Sequence, residues 1–343
     1  MKNSKPNLET KHKILVTGAS GYIGGRLVRQ LLLGNSLIRV MVRDEQKISE
    51  RPWIDQVEVS IANAKDYGTT EAALEGIHTA FYLLHSMTMG SDFENFEAIN
   101  ARNFAKAAGY AGVKQIVYLG GIANDKRISK HMRSRVNTGR ILNEGSVPVL
   151  EIRAGIIIGS GSASFEMLRH LINQLPFMTT PKWVRNRTQP IAISDVLFYL
   201  SQAGAMNKPV DGIFDIGGPD ILSYSKMIQT FAKLAGLRRR WIIKLPFPSP
   251  GLSSLLIGLF TPLPSALARS LVGSLISEVV ANPEKSLNGI IDPPPDGLLD
   301  LRTAIELALS KLSLHDLESR PSESNARLAP WSKAPSDPIW AGQ

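Results

Sequence analysis

The feature that most constrains this chain is a glycine-rich turn between an apolar strand and an amphipathic helix. The segment Ile14-Leu-Val-Thr-Gly-Ala-Ser-Gly-Tyr-Ile-Gly-Gly-Arg26 begins with strand-forming residues and carries Gly18, Gly21 and Gly24 at a spacing of three. In this pattern the first glycine permits a tight turn, the second admits a pyrophosphate, and the third lets the helix lie close to the strand. The helix amides then face the phosphates. The turn predicts a dinucleotide-binding unit, and the alternative is a tight turn in an unrelated α/β protein.

Apolar segments of strand length follow at intervals and alternate with helical patterns. The predicted strands are Leu37–Val42, Val57–Ile61, Thr79–Leu84, Ile116–Leu119, Val147–Ile158 and Ile213–Ile216. A helix over Phe93–Ala111 is predicted to end at Gly112. This alternation predicts an α/β fold, a doubly wound parallel Rossmann sheet with a smaller, mostly helical C-terminal lobe.

Changes in character along the sequence predict four segments. They are a flexible N-terminus (1–12), a dinucleotide-binding domain (13–159), a substrate or partner lobe with strands that return to the sheet (160–312), and a disordered tail (313–343) whose anchors are Trp331 and Trp340. Within the lobe, Ser194 is predicted to cap a helix. The apolar stretch Leu252–Phe260 has three open interpretations: a packed helix, the lining of an apolar pocket, or a lipid contact.

Composition excludes several classes of function. The chain has no cysteine, which excludes disulfides, thiol catalysis and zinc–thiolate sites and indicates a cytoplasmic protein. No signal peptide and no apolar run long enough to span a bilayer are recognised. The net charge of +9 is scattered and lacks a nucleic-acid motif. We therefore expect no nucleic-acid partner, and two interpretations of the charge stay open: cofactor phosphates, or peripheral contact with the inner face of a membrane.

The cofactor site is predicted from the turn and from residues at the carboxyl ends of the strands. The expected cofactor-binding residues are Thr17, Gly18, Ser20, Gly21, Tyr22, Ile23, Gly24, Arg43, Leu84, His85, Ser86 and Asn100. Arg43 directly follows the second strand, where an arginine accommodates a 2′-phosphate, so NADP(H) is expected rather than NAD(H). Asp44 beside it is the alternative, because an acidic residue at this place favours the free 2′-hydroxyl of NAD(H). Arg26 and Lys47 are further candidates for phosphate contact. For His85, a hydrogen-bonded structural histidine is the competing interpretation.

The motifs together resemble a known superfamily. Thr17-Gly-Ala-Ser-Gly-Tyr-Ile-Gly24, Asn100 and Gly112-Val-Lys-Gln-Ile-Val-Tyr-Leu119 are similar to extended and atypical short-chain dehydrogenase/reductase (SDR) proteins. The segments 153–165, 181–187 and 214–219 are similar to the bacterial YbjT group of atypical SDR proteins. The resemblance implies an NAD(P) site at the three glycines. Members of this group often continue into a further domain beyond the region matched by this chain.

The catalytic set implied by the superfamily is missing here. Classical members use a serine after the fifth strand and a Tyr-x-x-x-Lys pair, in which the tyrosine exchanges a proton while nicotinamide carries the hydride. This chain has Gly120-Gly121 at the serine region, and the Tyr-Lys region reads His131-Met-Arg-Ser-Arg135. His131 as proton donor and Arg135 as substrate or cofactor holder are the catalytic candidates, and the alternative is a solvated helix face. The literal Tyr110-Ala-Gly-Val-Lys114 precedes the fifth strand and is rejected.

Two functions from different classes follow. The first is an NADP(H)-dependent oxidoreductase that acts on a small, apolar substrate; the second is a non-catalytic NADPH sensor or scaffold that binds a protein partner, with membrane-peripheral contact as a variant. Four charged residues are candidates for the crevice rim: Arg153, Arg185, Arg187 and Asp195. Arg153 is also expected to be buried against a carboxylate. No metal site is predicted, and the oligomeric state is left open.

Overall fold

A parallel sheet of seven strands forms the centre of the protein. In the computed structural model, described for residues 12–34, 36–85, 92–123, 128–180, 182–244, 265–274, 277–310, 328–334 and 337, these strands are β1 Lys13–Thr17, β2 Leu37–Val42, β3 Glu58–Ile61, β4 Thr79–Tyr82, β5 Gln115–Gly121, β6 Val149–Ala154 and β11 Gly212–Ile216. Their order is β11-β6-β5-β4-β1-β2-β3, and all pairings are parallel. The order reverses between β1 and β4, where carboxyl ends of strands open a ligand crevice.

Helices cover both faces of this sheet. They are α1 Tyr22–Leu32, α2 Tyr67–Leu74, α3 Phe93–Tyr110, α4 Lys130–Asn143, α5 Ala163–Gln174, α6 Ile193–Gly204, α7 Tyr224–Leu234, α8 Ser265–Ser274 and α9 Leu301–Leu309. Successive strand residues point to opposite faces, so Ile14 and Val16 join the core under α1 and α6, while Leu15 joins the core under α2, α3 and α4. The predicted doubly wound α/β fold is confirmed.

The second half of the chain adds short strands that pair outside the main sheet. They are β7 Ile157–Ile158, β8 Phe177–Thr180, β9 Arg187–Thr188, β10 Ile191–Ala192, β12 Leu222–Ser223 and β13 Trp241–Lys244, paired as β7–β10, β8–β13 and β9–β12. The core under α1 also includes lobe residues such as Phe165 and Phe231. The lobe is therefore packed directly on one face of the sheet, and the boundary predicted at residue 159 stays a prediction.

Three local expectations differ from the structure. The segment predicted as one strand over Val147–Ile158 is two strands, because the chain leaves the main sheet after Ala154 and pairs with β10. Ser194 is not the cap of α6: Ala192 occupies the N-cap, and the Ser194 hydroxyl bonds the carboxylate of Asp195 at 3.3 Å. The apolar stretch 252–260 lies outside the described residues.

The tail is packed against the body where the structure describes it, contrary to the expectation of disorder. Trp331 is 2% exposed, as expected of an anchor. The carboxylate of Asp337 accepts hydrogen bonds from both terminal nitrogens of Arg26 on α1, at 3.0 and 2.6 Å. This ion pair is buried at both ends, and Arg26 also donates to the backbone oxygens of Pro330 and Ser332, so the described part of the tail lies against the first helix. Trp340 lies outside the described residues.

Candidate functional site

A cavity of about 800 Å³ opens where the carboxyl ends of β1, β2, β4 and β5 meet the lobe. Its lining from the sheet side comprises Gly18, Ser20, Gly21, Tyr22, Ile23, Gly24, Met41, Val42, Arg43, Leu83, Leu84, His85, Asn100, Tyr118, Gly120, Gly121, His131, Met132 and Arg135. Most residues predicted for the cofactor, and both predicted catalytic residues, therefore share one cavity. Their contact with a cofactor stays a prediction.

The glycines of the turn stand at positions where the neighbouring backbone leaves no room for a side chain. Gly18 has φ +67°, and a Cβ there would lie 2.8 Å from the carbonyl oxygen of Leu83 on the neighbouring strand. At Gly24 a Cβ would lie 2.3 Å from the oxygen of Gly18. The Gly21 amide donates to that same oxygen at 2.8 Å, which closes the turn. The first-turn amides of α1 lack intrahelical acceptors, so this end of the cavity fits a diphosphate.

The edge of the cavity beyond β2 is lined by two cationic residues, Arg43 and Lys65. Arg43 is exposed there and lines the cavity. Asp44, the acidic alternative, has a structural role. It is the N-cap of the 3₁₀ turn Glu45–Lys47, and its carboxylate accepts a hydrogen bond from the amide of Gln46 at 3.1 Å. An arginine with no competing ribose-binding carboxylate is the arrangement that accommodates a 2′-phosphate.

Several predicted phosphate or cofactor residues have other roles or positions. Thr17 does not line the cavity; its hydroxyl donates to the oxygen of Phe81 and accepts from the amide of Leu83, which ties β1 to β4. Arg26 is wrong as a phosphate ligand, because it is buried and paired with Asp337. Lys47 is exposed outside the lining, and Ser86 lies outside the described residues.

A buried polar cluster lies at the end of β4. Nδ1 of His85 is 2.7 Å from Oε1 of Glu97 on α3, and the hydroxyl of Ser134 on α4 donates to Oε2 of the same carboxylate. His131, one turn before Ser134, places its ring centroid 4.7 Å from that of His85. Glu97, His131 and Ser134 are each at most 7% exposed. The alternative of a solvated helix face for His131 is therefore wrong.

Four buried polar atoms, on the two histidines of this cluster and on two other residues of the cavity, have no hydrogen-bond partner among the described residues. These buried atoms are Nε2 of His85, Oδ1 of Asn100, Nδ1 of His131 and Nε of Arg135. All four residues line the cavity. A buried polar group without a partner costs roughly 1–3 kcal/mol, so four of them around one cavity indicate a polar ligand. A nicotinamide carboxamide and a substrate oxygen supply the hydrogen-bonding groups that these atoms lack.

The electrostatics separate the two histidines. Burial is the main cause that lowers the pKa of His131 to about 3, and the neighbouring His85 and Arg135 contribute to this shift. Burial also lowers the pKa of His85, but the hydrogen bond with Glu97 opposes this shift. His131 is therefore neutral near pH 7. It can still donate or accept a hydrogen bond as a neutral imidazole.

The end of β5 is tightly packed at both of its glycines. A Cβ on Gly120 would lie 2.8 Å from Oε1 of Glu151, and one on Gly121 would lie 2.8 Å from the sulfur of Met132. Neighbouring side chains already fill the space that a serine would need at either position. Tyr118 does not replace it, because its hydroxyl donates to the backbone oxygen of Arg135 at 3.0 Å.

The four rim candidates lie away from the cavity lining. Arg153 pairs with the buried Glu151 at 2.6 Å, as expected of a buried arginine with a carboxylate partner. Asp195 is also structural: it accepts from the amide of Leu299 at 2.9 Å. Of the two loop arginines, Arg187 pairs with Glu278 at the surface and Arg185 is exposed.

Two features were not predicted from the sequence: Glu97, and the apolar part of the cavity that is lined by lobe side chains, here called the apolar arm. Glu97 lies one helical turn before Asn100, and a carboxylate at that spacing beside a cavity-facing amide was an available signal. The arm is lined by Met167, Leu168, Leu171, Leu175, Met178, Met227, Ile228 and Leu271. These side chains come from α5, β8, α7 and α8, which no sequence pattern brings together. Within the described residues, no helix could cross a membrane and no cluster could hold a metal.

Comparison with known proteins agrees with this architecture. Residues 10–137 match the model of the NmrA-like family. Among curated proteins, Ceramide reductase of Caulobacter vibrioides is 25% identical over 243 residues, 68% of this chain and 74% of that protein. Sterol demethylase protein B of Methylococcus capsulatus is 31% identical over 110 residues, 30% of this chain and 33% of that protein. The chain matches about a third of the length of Sterol demethylase protein B, and about a third of the length of two other curated relatives.

Solved structures share the fold over most of this chain. Citrobacter sp. triphenylmethane reductase complexed with NADP(H) superposes with a TM-score of 0.66 at 18% identity, covering 86% of this chain and 99% of that one. An NADPH-dependent quinone oxidoreductase of Escherichia coli, complexed with NADPH, gives 0.65 at 18%, covering 85% and 98%. The Bordetella bronchiseptica enzyme WbmG in complex with NAD gives 0.58 at 16%, covering 79% and 95%. The predicted resemblance to NAD(P)-binding atypical SDR proteins is confirmed.

Proposed function

We propose that this chain, an atypical SDR protein with an NAD(P)-binding, reductase-type fold, is an NADP(H)-dependent reductase of an apolar substrate that carries a carbonyl or quinone group. The observation that carries the proposal is the continuity of one cavity. It runs from the glycine turn, past four unpartnered polar atoms, into an arm lined by aliphatic and methionine side chains. A dinucleotide and an apolar reactant would meet at the polar cluster.

The residues present fit the cofactor. The turn at Gly18, Gly21 and Gly24 would hold the diphosphate, and Arg43 would contact the 2′-phosphate of NADP(H). When bound, the reduced nicotinamide supplies a hydride. Asn100 and Arg135 offer an amide oxygen and a guanidinium nitrogen without partners, which would orient the polar groups of nicotinamide and substrate.

The apolar arm supports the substrate class. Its lining of leucine, isoleucine and methionine side chains favours a hydrocarbon or aromatic body, and methionine adapts to varied shapes. The relatives named above include reductases of triphenylmethane dyes, quinones and ceramide by their names. These substrates share a large apolar body, which agrees with the arm. The sequence-based expectation of a small substrate stays a proposal.

Calorimetry followed by turnover assays tests this proposal. We expect NADPH to bind saturably and more tightly than NADH, and its oxidation to be accelerated by a panel of quinones and apolar ketones. Absence of saturable binding of any nicotinamide dinucleotide would refute the proposal at its first step. Binding without turnover across the panel would refute the enzymatic part.

His131 is a hydrogen-bonding group in this proposal. Its low pKa excludes a protonated imidazolium near neutrality, so as a neutral ring it would hold the substrate oxygen or the carboxamide. The planar guanidinium of Arg135 offers several hydrogen-bond donors and would hold substrate or cofactor, as the sequence suggested. The variant His131→Leu removes both ring nitrogens, and unchanged turnover there would show that hydrogen bonding by His131 does not contribute.

The second candidate function is a non-catalytic NADPH sensor. The specific observation for it is the contact of the tail with α1, where Asp337 binds Arg26 two residues after Gly24 of the turn. A change in the turn on dinucleotide binding would then reach the surface of the tail. Contact of the segment 252–271 with an anionic membrane surface also stays a proposal, tested by salt-sensitive binding to anionic liposomes.

A further inference from the structure

Two buried histidines face the cavity, and the carboxylate of Glu97 is in contact with one of them. Nδ1 of His85 lies 2.7 Å from Glu97, whereas Nδ1 of His131 has no hydrogen-bond partner among the residues that the structure describes. We propose that His85, oriented by Glu97, is the residue that exchanges a proton with the substrate. This inference rests on the proposed reductase function and assigns the role that tyrosine has in classical members of the superfamily.

The position of His85 suits that role. It lies three residues after the end of β4, and β4 pairs with β1, whose end leads into the glycine turn. Gly18 lies against Leu83, two residues before His85. Nε2 of His85 is buried and has no hydrogen-bond partner within the described part of the chain, and the residue lines the cavity. The imidazole therefore forms part of the cavity wall, with 20% of the side chain exposed, beside the region where a dinucleotide held by the turn would extend.

Glu97 fixes the direction of that imidazole. An ionised carboxylate only accepts hydrogen bonds, so Nδ1 of His85 carries the proton in this contact and Nε2 is the exchanging atom. The second oxygen of Glu97 accepts from the hydroxyl of Ser134, which holds the carboxylate between α3 and α4. Glu97 contacts neither substrate nor cofactor in this scheme, and it is a positioning residue.

The charges around His85 come from two helices. On α3, Glu97 favours the protonated imidazole; on α4, Arg135 opposes it, and His131 and Ser134 are the other polar neighbours. Burial is the largest effect on the pKa of His85 and lowers it, and the Glu97 hydrogen bond is the effect that raises it. His131 has no comparable support, and its pKa lies at about 3. Of these two histidines, His85 is therefore the one equipped to carry a proton.

The reaction balances with NADPH as reductant. The substrate carbonyl carbon gains the hydride supplied by the reduced nicotinamide, and the carbonyl oxygen gains the proton from Nε2 of His85. The products are an alcohol, the oxidised dinucleotide and a neutral His85, which recovers its proton from water. In the reverse direction the neutral Nε2 accepts the hydroxyl proton.

The first experiment replaces the histidine. His85→Gln is expected to lower kcat at least a hundredfold, the low end of about 10²–10⁴ for general acid catalysis, while the Kd of NADPH from calorimetry changes less than threefold. The matched control is His78→Gln. His78 immediately precedes β4, outside the cavity lining, and its ring bonds Thr79. The proposal is overturned if His85→Gln, with NADPH bound, keeps the kcat of the control.

The second experiment measures the proton itself and does not need turnover. We would follow the ring signals of His85 by NMR as a function of pH in the wild type, in Glu97→Gln and in Glu97→Asp, assigned with His85→Gln. Loss of the charge in Glu97→Gln is expected to shift the pKa of His85 downward, and Glu97→Asp is expected to restore part of the shift. An unchanged titration in Glu97→Gln would overturn the role of Glu97.

The pH profile separates positioning from simple stabilisation. A reductive rate that needs protonated His85 falls as pH rises through its pKa, so Glu97→Gln moves this fall to lower pH with little change in KM. A merely structural role would lower activity equally at all pH values. If the wild type turns over no substrate, the proposed function fails; the NMR titration in the NADPH complex still decides whether Glu97 supports a proton on His85.

Discussion

Substitution of Gly24 by alanine tests the binding site at its tightest point. A Cβ at this position would lie 2.3 Å from the carbonyl oxygen of Gly18 and 2.7 Å from its carbonyl carbon, where ordinary contact begins at 3.4 Å. Helix α1 and the turn would have to separate by about 1 Å, since close-packed interiors absorb no such overlap. The clashing oxygen also accepts the amide of Gly21, so the displacement reaches the amides that would hold the diphosphate.

The expected cost follows from this geometry. Overpacking of this kind lowers the free energy of unfolding by roughly 1–3 kcal/mol, which urea titration would measure. We expect the Kd of NADPH, measured by calorimetry on the folded variant, to rise at least tenfold, about 1.4 kcal/mol. The displaced amides are the reason, because they no longer converge on one phosphate position.

The matched control is Gly76→Ala. Gly76 also has a positive φ, +70°, but no atom lies within 4 Å of its added Cβ. The substitution is expected to cost about 1–2 kcal/mol of stability from the left-handed backbone alone and to leave the Kd unchanged. A folded Gly24→Ala protein that binds NADPH as tightly as this control would refute the assignment of the turn as the diphosphate site.

Three further predictions concern charged groups. Arg43→Glu is expected to weaken NADPH roughly tenfold relative to NADH, and calorimetry showing an unchanged ratio would refute the 2′-phosphate contact. Asp337→Asn leaves Arg26 buried without its charge partner, so the free energy of unfolding should fall by about 3 kcal/mol. The exposed pair of Glu306 offers the control, since Glu306→Gln should cost at most about 0.5 kcal/mol; equal losses in urea titrations would contradict a structural role for the tail. Burial raises the pKa of Asp195 from 3.8 to about 6. The folded state therefore binds this proton more tightly than the unfolded state, and stability from this group is lost as pH rises from about 4 to about 6. Asp195→Asn should remove that loss, and a variant whose unfolding free energy keeps the wild-type pH dependence over this range would contradict it.

Local pattern was sufficient for most of the architecture. The strands of the main sheet were predicted within a few residues, because a parallel strand buried on both faces reads as a continuous apolar run. The glycine spacing was equally informative, since Gly18 and Gly24 are positions that backbone contact and φ restrict to glycine. Arg43 was found by its place directly after β2. Ser194 was misassigned because a serine before a helical pattern resembles a cap. The helix in fact begins at Ile193, one residue before Ser194.

The side-chain cluster of the site could be predicted only in part. His85 and His131 were identified by their positions, but the charge state of His131 depends on burial and on neighbours from other elements. Glu97 was overlooked because its partners come from β4 and α4, far from it in the sequence. Arg26 looked like a phosphate ligand beside the turn, and only the packed tail shows that Asp337 neutralises it.

The sequence by itself determined the strand and helix order, the parallel sheet and the place of the glycine turn, because each depends on short-range periodicity and backbone sterics. Tertiary structure decided which polar groups share a buried cavity, which cations are neutralised by distant carboxylates, and which histidine has a carboxylate partner. These properties depend on distances between residues remote in the chain and on exclusion of water, and no local pattern encodes either.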